Sequence, residues 1–173
     1  MAVGAPSRIF LVGPMGAGKT TIGRRLARTL QKNFVDADQE LERRTGASVA
    51  LIFDIEGESG FREREKQLID ELTLLDDIVL ATGGGSVLDL ENRSALKSRG
   101  FVVYLRASIE KLIERTRRDS KRPLLMTADP VAKMRELLAT RDPIYREVAD
   151  LNVDTGTMGL SEVVKEIRLA SAR

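Results

Sequence analysis

Short apolar runs alternate along this chain with longer stretches in which apolar residues return every third or fourth position. "RIFLVG" (8–13) has the continuous apolar character of a buried strand, and "TIGRRLARTL" (21–30) places Ile22, Leu26 and Leu30 on one helical face. "FVDAD" (34–38) reads as a short strand ending in two carboxylates, and "DQELERRTG" (38–46) as a helix stopped by Gly46. Ser48 can cap "VALIFDIEG", a second short helix that stops at Gly57. A longer helix follows in "FREREKQLIDELTLL" (61–75), with Leu68, Leu72 and Leu75 on one side. "DIVLATGGG" (77–85) is a strand running into three glycines, "NRSALKSRG" (92–100) a helix, and "FVVYLRA" (101–107) the next strand. Ser108 suits the cap of "IEKLIERTRR", residues 119–128 read as loop, and Pro130 can open a helix through "VAKMRELLATR". "LNVDT" (151–155) is a last strand and "LSEVVKEIRLA" a closing amphipathic helix.

Five strands separated by helices imply a single α/β domain with a parallel sheet covered on both faces. Ligands then gather at the carboxyl ends of the strands. The 173 residues suffice for one well-buried domain, and no internal repeat, low-complexity tract or linker divides them.

Composition narrows the chemistry. Apolar residues make up 42% and charged residues 31%, a globular profile. Lys and Arg number 28 against 26 Asp and Glu, so global charge gives no argument for nucleic acid. With no Cys, disulfides and thiolate catalysis are excluded, and with no His either a zinc enzyme does not fit. Acid–base work falls to carboxylates, Lys, Tyr or water. "MAVGAPSR" lacks the apolar core of a secretory signal, and no stretch approaches the roughly twenty apolar residues of a membrane span. The expectation is a cytoplasmic protein without a membrane partner.

The strongest local signal is "GPMGAGKT", which fits G-x-x-x-x-G-K-[ST] from Gly13 to Thr20, with a strand before it and a helix after it. Gly13, Gly16 and Gly18 let successive backbone N–H groups turn toward phosphate oxygens, and the helix N-terminus adds positive potential. Lys19 can reach the β- and γ-phosphates of a nucleotide, and the Thr20 hydroxyl can ligate Mg²⁺.

Other residues admit two readings each. Asp36 and Asp38, two apart on an extended segment, can face one way and serve a metal's water shell and an acceptor hydroxyl, or Asp38 can simply cap the following helix. The strand that often carries a metal carboxylate ends here in Thr82 and glycines. "DIEG" (54–57) matches D-x-x-G, but it lies in a helical stretch and the chain has no N-K-x-D, so a GTPase switch does not fit. Gly83, Gly84 and Gly85 form either a flexible turn or a place where a ligand meets the backbone closely. Arg62 and Arg141 are surface charges or a bidentate clamp for a carboxylate or phosphate. "RTRRDSKR" (115–122) is a solvated helix end, a weak nucleic-acid patch without aromatic platforms, or a basic lid bringing Arg122 to the transferred phosphoryl group.

Taken together, "GPMGAGKTTIGRRLA", "DADQELERRTG", "IFDIEGESGFREREK", "VLATGGGSVL", "KRPLL" and "RDPIY" resemble the shikimate kinase family in order and spacing, from about Ile9 to Asp154. The resemblance implies a P-loop, nucleoside monophosphate kinase-like fold with a five-stranded parallel sheet, an acceptor-binding helical segment over about 38–66 and a small lid over about 115–128. It implies transfer of the γ-phosphoryl group of ATP, with Mg²⁺, to the 3-hydroxyl of shikimate on the route to aromatic amino acids; a monomer suits a domain of this size with a moving lid. Gly16, Ala17, Gly18, Lys19, Thr20 and Thr21 would hold ATP phosphates. Thr20 would ligate Mg²⁺ and Asp36 would assist through water. Asp38 would hold the acceptor hydroxyl, and Arg62, Arg141 and the backbone of Gly83, Gly84 and Gly85 would bind shikimate. Arg122 would reach the transferred phosphate and Arg115 would lie near the adenine. Around Met158, another adenine contact in the family, no firm motif stands. A gluconate kinase shares the carboxylate and hydroxyl logic, and adenylate kinase would need a second base pocket. A catalytically silent nucleotide-binding module would bind ATP without forming product.

Overall fold

The computed structural model describes residues 4–117 and 126–173. Strands β1 (Arg8–Val12), β2 (Asn33–Asp36), β3 (Ile78–Ala81), β4 (Phe101–Arg106) and β5 (Leu151–Asp154) form one sheet in the order β2-β3-β1-β4-β5. Every neighbouring pair is parallel. Helices α1 (Lys19–Leu30), α2 (Ala37–Thr45), α3 (Val49–Leu72), α4 (Leu90–Arg99), α5 (Ile109–Thr116), α6 (Pro130–Val148) and α7 (Leu160–Ser171) connect and cover the strands.

Strand alternation divides the core into two layers. Ile9 and Leu11 of β1 point to one face, where Ile22 and Leu26 of α1, Leu112 of α5 and Ile167 of α7 pack. Phe10 and Val12 point to the other, against Leu68 and Leu72 of α3, Leu96 of α4 and Tyr145 of α6. Both faces are therefore apolar, as a parallel sheet requires.

The elements follow the sequence reading with informative differences. Along α3 two helical segments meet at Gly57, whose backbone is non-helical (φ 73°, ψ 179°), so the helix breaks where the sequence puts its stop. Its last residue is Leu72, so Leu75 lies beyond the helix and exposed rather than on its buried side. The second segment begins before Phe61, so Arg62 lies within it rather than at its opening. The carboxylate pair is also arranged differently. Only Asp36 ends the strand; it is the N-cap of α2, its side chain accepting from the Gln39 N–H, while Asp38 lies in the first turn of that helix. Capping needs a residue whose backbone is still extended, and Asp36 (ψ 120°) meets that condition. Helix α6 continues past Arg141 and through Pro143 to Val148. Burial of Met134, Arg141, Tyr145 and Val148 along it offsets the one backbone donor that Pro143 lacks. A 3-10 turn, Ser86–Leu88, follows the three glycines.

Candidate functional site

Register brings the site together. Asp36 of β2 pairs with Ala81 of β3, and Ala81 pairs with Leu11 of β1, so three strands end at one level. The phosphate-binding loop after β1, the glycines after β3 and the turn into α2 consequently lie side by side. The buried Thr82 ties them further, its N–H and hydroxyl both donating to the Leu11 carbonyl at 3.1 and 2.9 Å.

The resulting cleft has a volume of about 630 Å³ and is lined from Met15 to Thr21, by Asp36 and Asp38, and by Arg62, Glu65, Gly83, Gly84, Gly85, Arg115 and Arg141. Every predicted site residue within the described chain lines it; Arg122 and the "KRPLL" segment lie outside the described residues.

The loop from Gly13 to Gly18 owes its shape to backbone angles that side chains avoid. Gly13 has φ 145° and a Cβ there would meet the Leu105 carbonyl; Gly18 has φ 99° as the N-cap of α1. Lys19 curls back over the loop, its Nζ donating to the carbonyls of Gly13 (2.5 Å) and Pro14 (2.9 Å). The Thr20 hydroxyl donates to Asp36 Oδ2 at 2.6 Å. This hydroxyl and carboxylate are the hard oxygen donors that suit Mg²⁺, which is held by one or two protein oxygens together with substrate phosphates. Consistently, the described residues contain no cluster of three or more acidic side chains able to cage a metal by themselves.

At the other side of the loop, Arg115 donates to the Gly16 carbonyl at 3.0 Å and to the side chain and carbonyl of Thr155 at 3.1 and 2.9 Å. Thr155 Oγ1 in turn reaches the Ala17 carbonyl at 2.8 Å. Ile22, Met158, Leu160 and Val163 add an apolar lining. Leu160 and Val163, on α7, had no local signal because their spacing is that of any amphipathic helix.

The other end of the cleft is built from three elements and a turn. Arg141 is only 5% exposed, so it is a buried cation and not a surface charge. Arg62 Nη1 donates to Glu65 Oε1 at 2.8 Å, with its guanidinium 5.1 Å above the ring of Phe61. A Cβ on Gly85 would fall on the Arg62 guanidinium, and one on Gly83 would lie 2.8 Å from Glu65 Oε2 and 3.1 Å from Asp38 Oδ1. The glycines therefore admit these side chains at the backbone itself, which a plain flexible turn would not require.

Glu65 is the residue that sequence reasoning missed. It is 3% exposed, and its Oε2 is a buried oxygen without a hydrogen-bond partner among the described residues. Its available signal was the i, i+3 spacing from Arg62 in "FRERE". Burial pushes its carboxyl up to about 7; Arg62 opposes this by charge and hydrogen bond, and the nearby Asp38 reinforces it. The folded state thus holds this proton more tightly than the unfolded chain does. The associated stability is fully present below the ordinary value of 4.5 and is lost as pH rises to about 7. Glu65→Gln, neutral and of similar shape, is expected to gain on the wild type by about 2 kcal/mol between about pH 5.5 and about pH 8, at roughly 1.4 kcal/mol per pKa unit. Urea midpoints of both proteins across that range check it; a difference that does not move with pH would mean that the carboxyl is not raised.

The comparisons with known proteins bear on this geometry. The shikimate kinase family model matches residues 15–171. The chain belongs to the shikimate kinase family. A shikimate kinase from Bordetella pertussis is 60% identical over 159 residues, covering 92% of this chain and 75% of that protein. One from Methylococcus capsulatus is 57% identical, with 92% and 89% covered. Among solved structures, a shikimate kinase from Acinetobacter baumannii in complex with shikimate is 50% identical, with a TM-score of 0.91 over 93% of this chain and 90% of that one. The five-stranded parallel sheet is thus the fold of this family. Among the described residues, no helix is long and apolar enough to cross a membrane.

Proposed function

We propose that this member of the shikimate kinase family transfers the γ-phosphoryl group of ATP to the 3-hydroxyl of shikimate, giving shikimate 3-phosphate and ADP. The observation that carries the reading is the meeting, in one cleft, of a phosphate-binding loop with two arginines and an aspartate. The cleft chemistry suits a small acid bearing hydroxyls, and the Acinetobacter baumannii relative was solved with shikimate.

Phosphoryl transfer asks the protein chiefly to position its reactants and to stabilise charge. Backbone N–H groups from Gly16 to Thr21 hold the phosphates, and Lys19 exchanges its present carbonyl partners for β- and γ-phosphate oxygens. Arg115 and the apolar wall at Met158 hold the adenine side. Thr20, with Asp36 acting through water, would hold Mg²⁺, which neutralises charge on the phosphates when bound. Arg62 and Arg141 take the shikimate carboxylate, while the backbone of Gly83, Gly84 and Gly85 closes over the ring. Asp38 accepts the hydrogen bond of the acceptor hydroxyl and orients its oxygen toward the γ-phosphorus. The new oxygen–phosphorus bond forms as the bond to the β–γ bridging oxygen breaks, and the hydroxyl proton leaves toward Asp38. Arg122 meets the charge on the transferred group. Residues about 38–66 act as the acceptor-binding segment and about 115–128 as the lid. All the residues named belong to one chain, so a monomer suffices.

ADP release with ATP and Mg²⁺ in the presence of shikimate, gluconate or no acceptor tests this reading. Turnover confined to shikimate is expected. Turnover with gluconate alone would overturn the acceptor, and ATP binding without product on either acid would favour a silent module.

A further inference from the structure

Tyr145 has no role in the reaction above, yet two parts of the acceptor site hang on it. It lies four residues after Arg141 on α6, so the two side chains share a face. Its ring is fully buried and packs on that of Tyr104, with centroids 4.9 Å apart. Its hydroxyl donates to the Gly84 carbonyl at 2.5 Å. The Arg141 guanidinium stands close enough to this phenol for its charge to oppose the burial that raises the hydroxyl. Gly84 is where the walls of the cleft meet. A Cβ there would stand 3.6 Å from Arg141 Nη1, 3.6 Å from the Met15 nitrogen and 3.7 Å from the Gly13 carbonyl oxygen. The hydroxyl thus ties the glycine turn to the helix that carries the buried arginine, directly beside the phosphate-binding loop. The Tyr104 hydroxyl is engaged elsewhere, donating to Asp142 at 2.6 Å, and its ring serves as the floor under Tyr145.

We infer that Tyr145 is a positioning residue for the acceptor. Its hydroxyl fixes the Gly84 carbonyl against the helix that carries Arg141, and so sets where the carboxylate clamp stands with respect to the phosphates. The inference rests on the reading of this cleft as a shikimate site. A small displacement matters in such a site, because a misplacement of about 1 Å can cost on the order of 10²-fold in rate. Burial raises the phenol to about 12 against the opposing charge of Arg141, so the hydroxyl remains a donor throughout the neutral range.

Tyr145→Phe keeps the ring and removes only the hydroxyl. Its KM for shikimate is expected to rise by up to about tenfold, the loss of one buried hydrogen bond, while its KM for ATP stays within about twofold. Tyr104→Phe keeps the stacked ring and removes a neighbouring hydroxyl that donates to Asp142, and it is expected to leave the shikimate KM near that of the wild type. An unchanged shikimate KM in Tyr145→Phe, or an equal rise in both variants, overturns the inference. Wild-type protein that turns over no shikimate in the same assay overturns the functional reading and this inference with it, so the two failures are told apart. A second measurement does not need Tyr145→Phe to fold. The chain has two tyrosines, so Tyr104→Phe protein grown on 3-fluorotyrosine carries fluorine at Tyr145 alone. Its ¹⁹F resonance is expected to shift on saturation with shikimate and to hold with a non-hydrolysable ATP analogue; a resonance blind to shikimate counts against the proposal.

Discussion

Asp38→Asn is expected to lower shikimate-dependent turnover by about 10²- to 10⁴-fold, the usual worth of a positioned acid–base group. The substitution keeps the size of the side chain and the first turn of α2, where Asp36 and not Asp38 provides the cap. It removes the charge that, in the proposed reaction, accepts the acceptor hydroxyl's hydrogen bond, and it offers an N–H₂ group in place of one oxygen. The phosphate-binding loop is built from other residues, so affinity for an ATP analogue should stay within a few-fold of the wild type. Steady-state kcat with shikimate and calorimetric titration with the analogue measure the two halves. Near-normal kcat would remove Asp38 from the chemistry, and a parallel loss of nucleotide binding would show that the variant damages the loop instead.

The second large effect is expected at Arg141. Truncating one partner of a buried, hydrogen-bonded charge pair costs about 2–5 kcal/mol, so Arg141→Ala should raise the KM for shikimate by roughly 30-fold or more. Arg141 is the less exposed of the two clamp arginines; the Arg62 side chain is 22% exposed and also reaches Glu58 at 3.5 Å. Arg62→Ala should therefore weaken shikimate less, since water replaces part of what is lost. The carboxylate assignment has its own control. An acceptor analogue without the carboxylate should bind wild type and Arg141→Ala about equally, because the clamp then has nothing to grip. If Arg141→Ala discriminated against that analogue as strongly as against shikimate, the arginine would be gripping another part of the acceptor. A change confined to the ATP dependence would move it to the nucleotide side.

The two ends of the cleft differ in how far the chain alone discloses them. The phosphate-binding loop is eight consecutive residues whose function is local: glycine angles, a helix start, a lysine and a hydroxyl. Nothing beyond the flanking strand and helix is needed to recognise it. The strands were equally legible, because a sheet buried on both faces writes itself as short continuous apolar runs. Boundaries went astray where a local rule met a tertiary gain. Arg141 was read as the end of α6, yet the helix continues through Pro143 because the residues beyond it are buried. At the carboxylate pair the cap falls on Asp36, the last residue with extended backbone, which leaves Asp38 within the helix.

The acceptor pocket is a different matter, since Asp38, Arg62, Glu65, Gly83–Gly85, Arg141 and Tyr145 come from distant parts of the chain. Composition and spacing by themselves determined an α/β nucleotide-binding domain with candidate charges, and the ordered motifs pointed to the family. Only the strand order β2-β3-β1 decided that those charges converge beside the phosphates. Burial in turn made Arg141 a desolvated cation facing the cleft and raised the carboxyl of Glu65. A residue's charge is a property of its type, but its desolvation is a property of everything packed around it.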